Sequence, residues 1–282
     1  MNLYNNHILN SADKDGFAVP AFNYSDIWEL LAITEAAAEE KAPVYVATNM
    51  RVAETIGLKY LGAIGRTAYD LSGGHVINHL DHSSSVDLCK RAVDCVHMSV
   101  MIDASMCSLE ENIRKTREVV EYAHQYGVVV EAEIGRILGR NVEGTYLGDD
   151  YLVCVEDAVR ISAETGVDSL AVGIGTAHGF YAKEPHINIQ RLQEVDKAVS
   201  IPLVLHGGTG VPSKTVQACI SNGIAKVNVG TQLHATYLDA LRKQMEPETA
   251  PNISNVMVPV KEAIKPVVRH WIHICKAENR YK

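Results

Sequence analysis

Eight short apolar runs recur along the chain, separated by stretches in which apolar residues have helical spacing. Most of the runs are almost continuously apolar and rich in Val and Ile, which is typical of parallel strands buried on both faces. The pattern therefore predicts eight β-strands that alternate with helices. The runs are VPAFN (19–23), PVYVAT (43–48), HVINHLD (75–81), SVMIDA (99–104), VVVEAEI (128–134), SLAVGIG (169–175), PLVLHG (202–207) and KVNVGT (226–231).

Signals for the start of a helix fall in the segments between the runs. Asp26 with Glu29, and Ser108 with Glu111, have the spacing of a capping box. Eight strands that alternate with helices, without a linker, predict an α/β fold of the (β/α)8 type, a TIM barrel. The alternative is a doubly wound open sheet, which usually has fewer strands and a glycine fingerprint after the first one. The segment VPAFNYSD has no glycine.

The predicted barrel spans residues 1–282 as a single domain, with additional helices at its C-terminal end. We expect the stretch 256–280 to be a helix that is broken near Pro259 and Pro266 and packed outside the barrel. The longest connection, residues 135–153, follows the fifth strand and contains four glycines. A loop of this length at the C-terminal rim of a barrel favours an active-site lid.

Composition and charge exclude several classes of protein. Apolar residues make up 47% of the chain and charged residues 21%, as is typical of globular proteins. The net charge of −8 argues against a nucleic-acid surface, and no apolar stretch is long enough to span a membrane. The N-terminus has no signal-peptide pattern. None of the six cysteines forms a CxxC pair, so we expect buried thiols in a reducing compartment and a cytoplasmic location.

Three histidines stand at the ends of separate predicted strands or just after them. They are His82 after the third run, His178 after the sixth and His206 in the seventh. Because the C-terminal ends of barrel strands converge on one rim, we expect the three side chains to lie together. Three imidazoles around Zn²⁺ with an open fourth position would form a Lewis acid. Histidines outside this pattern are interpreted as structural: His75, His79, His97, His124, His186, His234, His270 and His273.

Other polar residues are predicted at the same rim. Asp81 precedes His82, and Asp103 and Glu133 belong to the fourth and fifth strands. Asp103 and Glu133 could orient the metal ligands or offer a second position for the metal. The remaining polar candidates at strand ends are Asn23, Glu131, Asn228 and Thr231.

Glycine-rich segments follow the last two strands. The sequence HGGTG (206–210) follows the seventh strand, and NVGT (228–231) ends the eighth. Loops at these positions commonly bind phosphate in barrels, because glycine lets backbone N–H groups approach an anion and Thr209 and Thr231 add hydroxyl donors. The sequence therefore predicts a phosphate site beside the metal, and Gly179 after the sixth strand adds to it.

The series of motifs resembles the class II, metal-dependent ketose-bisphosphate aldolases along nearly the whole chain. The length and the GVDSLAV…GTAHG block are most similar to the tagatose-bisphosphate aldolase branch, with the fructose-bisphosphate branch close behind. The motifs, in order, are PAFN, HLDH, SVMIDAS, EAEIG, GTAHG, PLVLHGGTG, KVNVGT and a terminal ENR.

The resemblance implies a role for each matching residue. His82, His178 and His206 would bind Zn²⁺, and Asp81 would exchange the proton of the C4 hydroxyl. Asp103 and Glu133 match carboxylates that hold a displaced metal, and Arg280 matches a C-terminal arginine that reaches a distal phosphate. The dihydroxyacetone-phosphate half would be bound by Gly179, Gly207, Gly208, Thr209, Asn228, Val229, Gly230 and Thr231.

The resemblance also implies the reaction and its partners. A ketose of the tagatose or fructose 1,6-bisphosphate type would be cleaved reversibly into dihydroxyacetone phosphate and an aldehyde. The resemblance implies one catalytic Zn²⁺ per subunit and leaves open whether a monovalent cation binds as a second ion. A small phosphorylated ketose is the expected partner, and a homo-oligomer, a dimer or tetramer, is implied.

The sequence departs from the family pattern at the aldehyde side. Glu143 is the only glutamate near the position of the family's loop acid, Asn49 replaces a serine or threonine, and Gln232 replaces an acidic residue. One alternative is therefore an aldolase for a ketose 1-phosphate with a non-phosphate distal group. A second is a Schiff-base aldolase, for which Lys226 is the nearest lysine, although it begins the eighth run at the opposite rim. A third is a sugar-phosphate-binding barrel with weak or no turnover.

Overall fold

The eight apolar runs form a closed barrel of parallel strands in chain order. The computed structural model describes residues 4–137, 151–245 and 252–281, with side chains from residue 8 onward. The first strand pairs with the second and with the eighth, which closes the sheet and confirms the (β/α)8 barrel. The strands are β1 Val19–Asn23, β2 Val44–Asn49, β3 Val76–Ser83, β4 Ser99–Ile102, β5 Val129–Ile134, β6 Ser169–Val172, β7 Leu203–Leu205 and β8 Ile224–Val229.

Two helices begin where the capping signals predicted. Asp26 accepts hydrogen bonds from the N–H groups of Trp28 and Glu29, and Ser108 accepts one from Glu111. No helix in the described ranges is long and apolar enough to cross a membrane. The helices are α1 Tyr4–Asp15, α2 Ile27–Glu39, α3 Met50–Ile56, α4 Leu58–Leu71, α5 Val86–Asp94, α6 Leu109–His124, α7 Val155–Thr165, α8 Ile189–Ala198, α9 Ser213–Ile220, α10 Thr231–Met245 and α11 Ile253–Ile274.

The prediction of a broken C-terminal helix is wrong. The helix α11 continues through both Pro259 and Pro266. Each proline removes one hydrogen bond to the carbonyl four residues earlier, in Asn255 and Glu262. Both prolines and both of these residues are exposed, so water can satisfy the freed carbonyls. The buried face of α11 packs against α2 and α10, and this packing keeps the helix continuous.

Burial of the cysteines is only partly as expected. All six are free thiols. Three of them, Cys89, Cys219 and Cys275, are buried, whereas Cys107 and Cys154 are exposed. Exposure at these two positions follows from their places in the loops before α6 and α7.

The interior of the barrel contains polar side chains below the predicted site. Met101, Ala171 and Val204 form a small apolar cluster of their own. The ammonium of Lys226 donates to Glu131 at 2.6 Å and lies 5.2 Å from the centre of the Tyr45 ring. Buried ionic groups of this kind persist only when they are paired.

Candidate functional site

The alternation of strand side chains places the predicted site residues at one end of the barrel. Residues two positions apart on a strand point to the same side. Asp81 therefore points into the barrel as His79 does. In the same way, Glu133 points to the same side as Glu131, and Asn228 points to the same side as Lys226. These C-terminal strand ends surround a cavity of about 780 Å³. The cavity is lined by Asn23, Asp81, His82, Asp103, Glu133, His178, His206 and Asn228, among others.

His82 reaches this cavity through an irregularity in its strand. Asp81 already points inward, so a regular strand would turn the next side chain outward. The backbone of His82 has a φ of 46°, in the left-handed region, and the pairing of β3 with β4 shifts register between Leu80 and Ser83. This bulge directs both Asp81 and His82 into the cavity.

The three predicted histidines lie together, and we call them the histidine cluster (His82, His178, His206). One ring nitrogen of each lies within 4.8 Å of those of the other two. Nε2 of His82 is 2.8 Å from Nδ1 of His206. His82 also forms a second, overlapping group with Asp103 and Glu133. The cluster is therefore a candidate metal site with an adjacent carboxylate position.

The second nitrogens of two imidazoles have carboxylate partners. Nδ1 of His82 is 3.0 Å from Oδ2 of Asp103, and Nε2 of His206 is 2.7 Å from Oε1 of Glu131. A carboxylate behind an imidazole fixes its ring and directs the other nitrogen towards a metal. The donor set therefore fits a cation, with Nε2 of His82 and Nδ1 of His206 as ligand atoms.

The charges of the cluster are set by burial and by the surrounding carboxylates. Burial and the neighbouring His82 lower the pKa of His178 to about 3, and the same two causes lower the pKa of His206. Burial by itself would lower the pKa of His82, but Asp81, Asp103 and Glu133 outweigh it and raise that pKa to about 10. Nε2 of His82 and Nδ1 of His206 are within hydrogen-bond distance of each other, and a cation bound by both nitrogens would replace that contact.

Glu133 gives further support for a cation. Its Oε2 is buried and accepts no hydrogen bond from the described residues. Burial raises the pKa of Glu133 to about 8, and Asp103 adds to this effect. A buried carboxylate oxygen without a donor is costly unless a positive charge lies beside it. The group of His82, Asp103 and Glu133 is therefore suited to a second position of the same ion.

Asp81 accepts hydrogen bonds from two asparagines. Nδ2 of Asn23 donates to its Oδ2 at 2.8 Å, and Nδ2 of Asn228 donates to its Oδ1 at 3.1 Å. Burial by itself would raise the pKa of Asp81, but His82 and His206 hold it well below the usual range. An ionised carboxylate beside a metal position can accept a proton from a substrate hydroxyl.

The glycine loops (residues 206–210 and 228–231) form the wall of the cavity at β7 and β8. Gly207 has a φ of 68°, and a Cβ there would lie 2.4 Å from the carbonyl oxygen of Ala177. A Cβ on Gly230 would lie 2.9 Å from Oδ1 of Asn23. Of the predicted substrate-binding residues, Gly179, Gly207, Thr209, Asn228, Gly230 and Thr231 line the cavity. Gly208 and Val229 do not, and their roles stay predictions.

Some residues that shape the site were missed from the sequence. The hydroxyl of Tyr181 accepts from the N–H of Ala177 and lies 2.9 Å from the carbonyl oxygen of Gly207, which joins the loops after β6 and β7. Arg51 and Arg136 also line the cavity. Each arginine lies two residues after the end of a strand, and this position was the signal that could have identified them.

The three residues that depart from the family pattern on the aldehyde side differ in their structural roles. Oδ1 of Asn49 accepts from the N–H of Val52 at 3.0 Å and caps α3. Oε1 of Gln232 accepts from the indole of Trp271 at 2.8 Å, so it packs against α11. Glu143 lies outside the described residues, as does most of the predicted lid.

Arg280 does not reach the cavity of its own barrel. Its guanidinium lies 4.9 Å from the centre of the ring of Phe17, which precedes β1, and its side chain donates to the carbonyl of Lys276. The adjacent Asn279 and Tyr281 bond to the backbone just before β2. The chain end is therefore packed at the N-terminal rim, opposite the cavity. A distal-phosphate role within the same barrel is excluded by this position.

The interpretation of Lys226 as a residue of the opposite rim is wrong. The strand β8 begins two residues earlier than expected, at Ile224, so Lys226 lies in the barrel interior and is fully buried. Its ammonium is paired with Glu131 at 2.6 Å, and Lys226 together with His206 lowers the pKa of Glu131 to about 2 against the effect of burial. A Schiff-base lysine needs a free neutral amine, whereas the amine of Lys226 is held in an ion pair with Glu131.

Replacement of Lys226 by Met is expected to lower the free energy of unfolding by about 3–5 kcal/mol. The physical reason is that Glu131 would remain as a buried charge without its partner. Urea denaturation measures the change, and Lys226→Met combined with Glu131→Gln is expected to recover part of it. Lys243→Met, which breaks an exposed pair with Asp239, is the matched control. Equal effects of Lys226→Met and Lys243→Met would contradict the prediction.

Comparison with known proteins agrees with this geometry. The model of the class II fructose-bisphosphate aldolase family matches residues 4–280. The D-tagatose-1,6-bisphosphate aldolase subunit GatY of Klebsiella oxytoca is 37% identical over 276 residues, which are 97% of each chain.

Solved structures are similar over the same extent. The YdjI aldolase of Escherichia coli K12 superposes with a TM-score of 0.85 at 28% identity and 98% coverage of both chains. A putative fructose-1,6-bisphosphate aldolase from Coccidioides immitis gives a TM-score of 0.85 at 29% identity, covering 97% of this chain and 96% of that one. With the family match over nearly all residues, and with the barrel, the histidine cluster and Asp81 in one cavity, the chain belongs to the class II fructose-bisphosphate aldolase family and is an aldolase of the lyase class.

Proposed function

We propose that this aldolase is zinc-dependent and cleaves a ketose 1,6-bisphosphate of the tagatose or fructose type into dihydroxyacetone phosphate and an aldehyde phosphate. The strongest support is the position of Asp81, an ionised carboxylate held by Asn23 and Asn228 at the edge of the histidine cluster. The substrate type follows the D-tagatose-1,6-bisphosphate aldolase subunit that is 37% identical to the chain.

His82, His178 and His206 are the residues that would hold the zinc ion. Glu131 and Asp103 orient two of the imidazoles through hydrogen bonds of 2.7 and 3.0 Å. When bound, zinc supplies a positive charge that stabilises negative charge developing on the substrate carbonyl oxygen. Asp103 and Glu133 offer a second position beside His82.

Asp81 accepts the proton of the C4 hydroxyl in the cleavage direction. The C4 oxygen then forms the aldehyde carbonyl, the bond between C3 and C4 breaks, and its electron pair moves onto the dihydroxyacetone-phosphate fragment. A second acid must protonate C3 of that fragment, and Glu143 stays the predicted group. In the reverse direction Asp81 returns its proton to the new C4 hydroxyl.

The glycine loops bind the phosphate of the dihydroxyacetone half. The lining of the cavity on this side supports the phosphate site, because it includes Gly207, Thr209, Gly230 and Thr231. Asn228 links this half to the catalytic carboxylate, because its Nδ2 bonds to Asp81 and lies 3.3 Å from His206.

A panel of cleavage assays tests the proposal. We expect cleavage of tagatose or fructose 1,6-bisphosphate to be lost after treatment with a chelator and restored by zinc. Borohydride added with substrate is expected to trap no adduct, which separates this reaction from a Schiff-base mechanism. Exchange of the C3 protons of dihydroxyacetone phosphate is expected as well. Absence of this exchange in the zinc-loaded protein would contradict the proposal and favour a sugar-phosphate-binding barrel.

The homo-oligomer and the cytoplasmic location are part of the same proposal. The family resemblance supports the homo-oligomer, and the cysteine composition supports the cytoplasmic location. Light scattering of the purified protein measures the first, and fractionation of cells measures the second.

A further inference from the structure

We propose that Arg51 and Arg136, the arginine pair, bind an anionic group at the distal end of the aldehyde half and so determine the preference for a charged aldehyde. The inference rests on the proposed function, because it assumes that the glycine loops bind the phosphate of the other half. The ligand chemistry is a phosphate or a carboxylate at the far end of the sugar.

The order of the strands places one arginine on each side of the wall that faces the glycine loops. In a closed barrel of eight strands, the strand opposite any given one is four positions further round the ring. The glycine loops follow β7 and β8, so β3 and β4 lie opposite them. Arg51 follows β2 and Arg136 follows β5, which places one arginine on each side of β3 and β4. Both arginines line the cavity that contains Asp81 and the histidine cluster.

A bound ketose would therefore extend from the glycine loops, past Asp81, towards the arginine pair. Its C4 atom must lie beside Asp81, because that carboxylate takes the C4 proton. The carbons beyond C4 then continue to the β3–β4 side of the cavity. Ser105 and Met106 line this side too, and neither carries a charge. The arginine pair supplies the cationic groups of this wall.

The guanidinium groups of the arginine pair are available for a ligand. Neither makes a hydrogen bond or ion pair with a side chain in the described part of the chain, whereas Arg114 and Arg160 on the outer helices are paired with glutamates. Both are exposed, but their backbones are fixed. Asn49 caps the helix that begins just before Arg51, and the N–H of Arg136 donates to the carbonyl of Tyr151 at 3.0 Å.

The chemistry of arginine favours an oxyanion. A planar guanidinium binds phosphate or carboxylate through two parallel hydrogen bonds, and such charge-assisted bonds are about twice as strong as neutral ones. The arginine pair therefore gives an anionic distal group two cationic partners at this wall of the cavity. Arg280, at the opposite rim, does not compete for it within the same barrel.

Condensation kinetics test the inference with the zinc-loaded full chain. Dihydroxyacetone phosphate is combined with glyceraldehyde 3-phosphate, with tartronate semialdehyde, which carries a carboxylate, or with neutral glyceraldehyde. The wild type is expected to prefer one or both charged aldehydes in kcat/KM. Arg51→Gln and Arg136→Gln are each expected to reduce kcat/KM for the preferred charged aldehyde by about tenfold to a hundredfold. In the double variant, kcat/KM for glyceraldehyde and the rate of C3 proton exchange are expected to stay within about twofold of the wild-type values.

A matched control and the opposing outcomes make the test decisive. Arg66→Gln removes an exposed arginine that is paired with Asp70 on α4. This variant is expected to keep the wild-type kcat/KM for all three aldehydes. The thermal midpoint of each variant verifies the fold. Preference for the phosphate alone or the carboxylate alone identifies the distal group. An undiminished preference in the double variant, or an equal loss with all three aldehydes, would overturn the inference while leaving the proposed function intact. Lack of C3 exchange in the zinc-loaded wild type would instead overturn the proposed function.

Discussion

Replacement of Asp81 by Asn is expected to reduce ketose cleavage by a factor of about 10²–10⁴, the usual contribution of a positioned acid or base. The amide cannot accept the C4 proton, so the bond between C3 and C4 loses the group that allows it to break. The change keeps the size of the side chain and leaves the histidine cluster and its carboxylates in place. It also removes one acceptor oxygen, so the hydrogen bond from Asn23 or from Asn228 is lost.

A second measurement separates this role from damage to the metal site. C3 proton exchange on dihydroxyacetone phosphate does not require the C4 hydroxyl, and we expect it to be retained in Asp81→Asn. Zinc content, measured by mass spectrometry, is expected to be unchanged. Asp70→Asn, at an exposed position paired with Arg66, is the matched control and is expected to cleave like the wild type. Loss of exchange and of zinc together would show that Asp81 acts by supporting the metal instead.

Replacement of His178 by Ala is expected to weaken zinc binding by about a hundredfold or more. Loss of a group that only orients a ligand costs about ten- to a hundredfold in affinity, and loss of a ligand removes a bond to the metal itself. His178 is the best of the three for this test. It lies on the loop after β6 and is only partly buried, whereas His206 is fully buried and paired with Glu131. Its truncation therefore leaves no buried partner unsatisfied among the residues that the structure describes.

Competition with a chelating dye measures the zinc affinity of this variant. Cleavage is expected to fall with occupancy and to recover in part with excess zinc. His273→Ala, which removes an exposed imidazole beside Glu40, is the control for loss of a histidine and is expected to bind zinc normally. Wild-type zinc affinity in His178→Ala would show that His178 is not a ligand. The alternative site formed by His82, Asp103 and Glu133 would then become the candidate.

Much of the fold could be predicted because its signals are local in the sequence. Parallel strands buried on both faces are near-continuously apolar, so the eight runs mark the eight strands within a few residues. The prediction was wrong where tertiary packing outweighed a local rule. Pro259 and Pro266 were expected to break a helix, but α11 is buried along one side and its prolines face solvent. Lys226 was placed at a rim because its strand was expected to begin two residues later.

The strand order and the placement of Asp81, His178 and His206 at one rim could be read from the chain, because in a barrel they follow from the strand ends alone. How His82 joins them depends on the folded barrel. Its left-handed backbone turns a side chain inward that strict alternation would have directed outward. The structure also decided which cations border the cavity. Arg280 is packed at the far rim, whereas Arg51 and Arg136 line the cavity. Distances across a closed barrel depend on the packing of all eight strands, and no local pattern in the sequence records them.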